Sequence, residues 1–269
     1  MSADALFNTN LSHYEKLYSD PFERHSFEVR SKTQIFKSLQ NRRKEFLRGK
    51  KVLDIGFGSG DILLTVSRQG AECYGIEIAG QAAALLKRQF PSSHIFEARA
   101  SSLPLKADFF DIIVCSHVLE HENNERAAVY EMIRVLKPGG AIFLGVPAAA
   151  VGETELHARF YDPDSIQELA DTFHLETICS HAYGSRLFQI IYYAINVIAN
   201  RASTHNTAVK INQQDLSSYG IIRRLYHVLV VPFLLFLYHL DAIIPTSKKK
   251  PIEIWVILRK MIFMGGGKS

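Results

Sequence analysis

Gly56, Gly58 and Gly60 stand at alternate positions directly after the apolar run Val52-Leu53-Asp54-Ile55. Asp61 and a further apolar stretch, ILLTVSRQ, follow them. A strand that feeds a glycine-rich turn into a helix exposes backbone N–H groups, because no Cβ blocks close approach. Such a turn at the carboxyl edge of a parallel sheet is a site for a nucleotide-like ligand. The dinucleotide fingerprint has the spacing G-x-G-x-x-G; here the third glycine arrives one residue early, and Asp54 precedes the first by two. An acid in that place suits a ligand with a cationic amino end. Glu77 closes the next apolar run, AECYGIEI, 21 positions after Gly56. A carboxylate at such a strand tip can accept both hydrogen bonds of a ribose diol.

The elements that hold these residues alternate. Strands are predicted at 51–55, 72–78, 94–97, 110–115 and 140–146, with helices at 61–69, 80–89 and 122–136. FDIIVC and AIFLGV are continuous apolar runs, so both faces of those strands are covered, which implies a parallel sheet between helix layers. Asp162-Pro163-Asp164 opens another helix, proline being tolerated in the first turn. LETICS and IEIWVILR (252–259) supply two further strands.

The pattern resembles the class I S-adenosylmethionine (SAM)-dependent methyltransferases, specifically the small-molecule, type 11-like group. The resemblance spans about residues 50–147. It rests on the G-x-G-x-G turn, Glu77, Leu103-Pro104, Phe110-Asp111, Leu119-Glu120-His121 and the run Arg134 to Gly140. It implies an α/β, Rossmann-like sheet of seven strands, mostly parallel, with β7 inserted antiparallel between the fifth and sixth. N-terminal helices and a helical insertion before the last strand complete that fold. It also implies SAM as cofactor, held by Asp54, Gly56, Phe57, Gly58, Gly60, Glu77, Ile78, Ala100, Ser101, Ser116 and His117. One position departs from the family. Four residues before Leu103-Pro104, an aspartate usually meets the adenine amino group; here Arg99 stands there and cannot accept that bond.

Methyl transfer from a sulfonium is an in-line displacement that needs alignment and dryness more than activation. A base is required only for a hydroxyl or protonated amine acceptor. His117 and His121, just past β4, and His157, in a H-A-R-F-Y context, are the candidates. Tyr14 and Tyr18, four apart on one helix face, could close over the site, or simply pack. Arg159 could bind an acidic substrate group or pair with Glu155, and Tyr161 joins it as a substrate-side candidate. Neither an Asn/Asp-Pro-Pro-Tyr motif nor a Pro-Cys nucleophile follows β4, which argues against base methylation, and no nucleic-acid partner is expected. Metal-ligand spacing is absent.

Charge is nearly balanced, at +4 with pI about 8.9, which does not mark a dedicated nucleic-acid binder. Cys73, Cys115 and Cys179 are scattered singly, as buried free thiols in a reducing, cytoplasmic compartment would be. The polar N-terminus does not read as a signal peptide. The basic cluster Arg42, Arg43, Lys44 and Arg48 complements a helix C-terminus.

The chain thus divides into an N-terminal helical cap over 1–49, a SAM-binding core over 50–183 plus 251–260, and an apolar insertion over 184–250. The insertion holds two apolar helical stretches, 187–199 and 225–244, and is longer than a strand connection needs. Three readings stand: a lid over a greasy pocket, an interfacial membrane anchor on the cytoplasmic face, or a span. The reaction read from all this is methyl transfer to an O or N atom of a small-molecule, lipid-linked or glycan acceptor. The alternatives are a catalytically silent cofactor-binding subunit and an RNA or protein methyltransferase.

Overall fold

The computed structural model describes residues 8–15, 27–43, 47–148, 157–184, 226–243, 251 and 253–262. Seven strands form one sheet: β1 Lys51–Ile55, β2 Glu72–Glu77, β3 His94–Glu97, β4 Phe110–Ser116, β5 Leu136–Pro147, β6 Leu175–Tyr183 and β7 Glu253–Lys260. Their order is β3-β2-β1-β4-β5-β7-β6. The first five are parallel, and β7 runs antiparallel between β5 and β6. This is the sheet expected from the sequence, including the inserted last strand.

Alternation along the strands divides the core into two layers. Val52, Val114 and Trp255 face a layer formed with α2 (Phe27–Arg43), α3 (Asp61–Ser67) and α4 (Gly80–Gln89). Leu53, Ile113 and Ile254 face the other, formed with α5 (Glu125–Val135) and α6 (Pro163–Thr172). Both faces of the inner strands are therefore buried, as their unbroken apolar runs require. A short helix over 8–15, α1, precedes α2. In α6 the cap is reciprocal: Asp162 accepts from the Ser165 N–H, the Ser165 hydroxyl accepts from the Asp162 N–H, and Pro163 opens the helix.

Two expectations need amendment. The strand predicted at 140–146 starts earlier, before the Lys137-Pro138-Gly139-Gly140 run. Leu136 already pairs with Phe110, and the next pair is Ile112 with Ala141, so the run bulges out of the ladder. Gly139, at φ +77°, supplies the left-handed bend. The apolar stretch over 225–244 is not one regular helix: a π-helical turn, Tyr226–Val230, leads into α7, Val231–Ile243, with Pro232 in its first turn. Val231, Leu234 and Leu235 of α7 are buried, whereas Val228, Leu229, Phe233 and Phe236 are exposed. Among the described residues no helix is long and apolar enough to cross a membrane. The stretch 187–199 lies outside the described residues, as do Tyr18 and Glu155.

Candidate active site

β1 ends at the centre of the sheet, between β2 and β4, where the strand order reverses and a crevice opens. The turn leaving it is built from three left-handed glycines, with φ +68° at Gly56, +55° at Gly58 and +79° at Gly60. Side-chain-bearing residues avoid that region, which explains the alternate spacing. Gly56 N–H donates to the Ile76 carbonyl at 2.8 Å, tying the turn to β2. A Cβ on Gly56 would stand 2.2 Å from a Val118 methyl, and one on Gly60 2.6 Å from Leu86. Gly60 thus packs α3 against α4 and does not line the crevice, unlike Gly56 and Gly58.

The crevice is a cavity of about 300 Å³ with two buried carboxylates in its wall, Asp54 and Glu77. Burial, and then the neighbouring Glu77 charge, pushes the Asp54 carboxyl well above the usual carboxylate range. Its Oδ2 has no hydrogen-bond partner among the described residues. Glu77 is raised by burial too, against the pull of three backbone donors. Gly58 N–H reaches Oε2 at 2.9 Å, while Ile78 and Ala79 N–H reach Oε1 at 2.8 and 3.2 Å. An unpartnered buried carboxylate oxygen beside a second buried acid fits a ligand carrying positive charge.

The opposite wall comes from the loop after β3 and the turn after β4. Arg99, Ala100 and Ser101 line it, and Glu97, the nearest acid on β3, does not. Glu122 lines it as well, with Ser101 and the Ala100 N–H as hydrogen-bond partners, and burial raises its carboxyl. Glu122 went unnoticed in the sequence because its partners lie some twenty positions earlier in the chain.

The three histidines have different surroundings. His117, at φ +54°, faces Glu253 Oε2 with Nε2 at 2.8 Å and Glu120 Oε1 with Nδ1 at 3.3 Å. Burial and Lys32 oppose its protonation, but the two carboxylates outweigh them and raise its pKa. Both ring nitrogens of His117 face carboxylates and neither is turned to an acceptor, which corrects the expectation of His117 as a base. His121 lines the crevice, and the Tyr14 hydroxyl of α1 lies 2.8 Å from its Nε2. His157 lies outside the lining but sets its ring edge-on to His121, centroids 5.0 Å apart. Burial, then the neighbouring His121, lowers its pKa and keeps it neutral.

Asp54, Phe57, Ile78, Ser116 and Tyr14 all line the crevice, together with Asn10, Lys32 and Thr33 from the N-terminal helices. Arg159 and Tyr161 are elsewhere, a correction to their substrate-side expectation. The Arg159 guanidinium donates to the carbonyls of Leu119 and Glu122 at 2.8 and 2.5 Å and is spent as a clamp. Tyr161 is buried, its hydroxyl donating to Glu125 at 2.5 Å. Burial pushes the Cys73 thiol up to about 11 and raises Cys115 as well, so neither is a ready nucleophile.

A family model described as a methyltransferase domain, Methyltransf_11, matches residues 53–144. That interval carries the glycine turn, Glu77, the loop after β3 and the histidines after β4. Over residues 53–144 the chain is thus similar to a methyltransferase domain. The chain is 30% identical over 155 residues to a protein of Idiomarina loihiensis named ubiquinone biosynthesis O-methyltransferase, covering 49% of this chain and 64% of that one. It thus spans less than two thirds of that relative's length. Among solved structures, the chain resembles Burkholderia thailandensis 1,6-didemethyltoxoflavin-N1-methyltransferase, with TM-score 0.58, 14% identity and coverage of 97% and 92%. The [4+2]-cyclase SpnF is similar at TM-score 0.58 and 19% identity, covering 86% of this chain and 81% of its own. These two likenesses are of fold alone.

Proposed function

We propose that the chain is a SAM-dependent methyltransferase acting on an O or N atom of a small acceptor with an apolar, lipid-linked or glycan-bearing body. The observation that carries this reading is the unpartnered, fully buried Asp54 Oδ2 beside Glu77 and the bare glycine turn. Dinucleotides bring pyrophosphate to such a turn; two raised, buried acids instead favour an ammonium and a sulfonium. When bound, SAM supplies a methyl group already activated for in-line displacement. The chain's own residues then orient and exclude water. Asp54 takes the amino end, Glu77 the ribose diol, and Ser101 with Glu122 the adenine edge that Arg99 cannot serve. Tyr14 and His121 bound the acceptor side. If the acceptor is a hydroxyl, His121 and His157 are the histidines left on its side of the crevice.

The O-methyltransferase named for ubiquinone biosynthesis supports an acceptor of lipid character. The exposed Val228, Leu229, Phe233 and Phe236 support peripheral contact with a membrane on its cytoplasmic side. The second reading is a catalytically silent subunit that binds SAM without turning it over.

Isothermal titration with SAM and with its demethylated product tests the cofactor. Both should bind, and Asp54→Asn should weaken the pair by about 1–3 kcal/mol, the loss typical of a hydrogen bond to a charged group. No heat from either ligand would sink the proposal. Labelled SAM offered with lipid, sugar and phenol acceptors then separates methyl transfer from silent binding. Flotation with anionic vesicles should be lost on Phe233→Glu with Phe236→Glu; unchanged flotation would reject the membrane contact.

A further inference from the structure

We infer that Glu120, His121 and His157 bind a first-row divalent cation of the zinc type at the acceptor side of the crevice. Sequence spacing concealed the set, because His157 follows the Glu120-His121 pair by 36 positions. The fold removes that separation. Ala158 N–H donates to the Glu120 carbonyl at 2.6 Å, and Arg159 grips the carbonyls of Leu119 and Glu122, fastening the His157 segment onto the turn Leu119–His121. One donor atom from each of the three residues lies within 4.8 Å of the others. Bonds of about 2 Å to a tetrahedral cation set donors roughly 3.4 Å apart, a closure that side-chain rotation can supply.

Two observations point to a ligand. Glu120 is 0% exposed; its Oε1 faces His117 Nδ1 at 3.3 Å, while its Oε2 and the buried Nδ1 of His157 have no hydrogen-bond partner among the described residues. A buried carboxylate oxygen left in this condition is costly unless a further donor or a cation meets it. Glu120 and Glu253 both flank His117, so the turn is rich in carboxylate, with Lys32 the nearby lysine. Two imidazoles and one carboxylate are a donor set for zinc and its neighbours, and three protein ligands leave a position open.

His121 also lines the crevice, so that open position can receive an acceptor oxygen. This role rests on the methyltransferase reading; binding of the cation does not. A ligated acceptor hydroxyl releases its proton to water. An oxygen lone pair then forms the O–CH3 bond while the S–CH3 pair returns to sulfur, leaving a neutral thioether.

Cobalt(II) is the probe, added to the full chain after chelator treatment, with its visible ligand-field bands as readout. The unaltered protein should bind about one equivalent with bands of low-coordinate cobalt. His157→Ala and Glu120→Gln should each weaken binding at least about tenfold. His94→Ala, at an exposed ring remote from the turn, should change nothing. Should Glu120→Gln fail to fold by circular dichroism, His157→Ala decides, since that ring is only half-buried. Absence of cobalt bands in the unaltered protein, or full retention in His157→Ala, would overturn the site. A protein that takes cobalt but not the demethylated cofactor would reject the methyltransferase reading instead.

Discussion

Asp54 shows how one side chain can announce its ligand. Its carboxyl sits well above the ordinary range because burial and Glu77 disfavour its charge. An arriving ammonium favours that charge, so its pKa must fall on binding and protons must leave. Titrations in buffers of different ionisation enthalpy should therefore detect proton release on binding, and Asp54→Asn should abolish most of it. Equal heats in all buffers would reject this account. Glu77→Ala should weaken the cofactor by about 1–3 kcal/mol, and the variant's stability should be checked separately because it also frees three backbone N–H groups. Asp54 and Glu77 were legible in the sequence from their distance to the glycines. The separation of His117 from His121 and His157 was not, because Glu253 approaches His117 from a strand 136 positions away.

Among the elements, the loop between β3 and β4 carries part of the crevice's far wall yet has no regular structure of its own. It is held from α5. Arg134 donates to the carbonyls of Leu103 and Leu105 at 3.0 and 2.8 Å, while Glu131 accepts from the Leu103 N–H at 2.8 Å. Glu131 and Arg134 also bind one another at 2.6 Å, one turn apart. Arg134→Ala should raise amide exchange across 98–105 and weaken the cofactor several-fold, leaving the Glu77 contacts intact. Unchanged exchange in that loop would show that the clamp is dispensable. Sequence pattern marked Leu103-Pro104 and the Arg134 run as separate signatures; only their packing explains why both are needed. From local pattern alone the fifth strand starts at 140; cross-strand pairing of Leu136 with Phe110 begins it before the Lys137–Gly140 run.

At the scale of the molecule, Asp111 joins three parts of the sheet. Its Oδ2 accepts from the Lys51 N–H of β1 at 2.9 Å, and its Oδ1 accepts from Lys137 Nζ in the β5 bulge at 2.9 Å. Burial opposes ionisation, but these donors and Lys50 together hold the carboxyl below its ordinary value. A depressed carboxyl stabilises the fold above its unfolded pKa, and that contribution disappears as pH falls through the folded one. Asp111→Asn should thus cost about 1 kcal/mol at neutral pH, a modest figure because the lysines remain solvated. Melting curves should converge for the two proteins in strong acid. A constant gap at every pH would mean that charge is not the cause.

The sequence by itself determined the alternation of strands and helices, the glycine turn and the two acids that flank it. Those signals are local: apolar period, left-handed backbone and fixed offsets between neighbouring strand tips. Only the tertiary structure decided what the polar residues beyond β4 do. His117, Glu120 and Glu253, and likewise His121 and His157, meet across the ends of separate strands. Whether a buried ring there is charged, neutral or ligating depends on which distant groups face it.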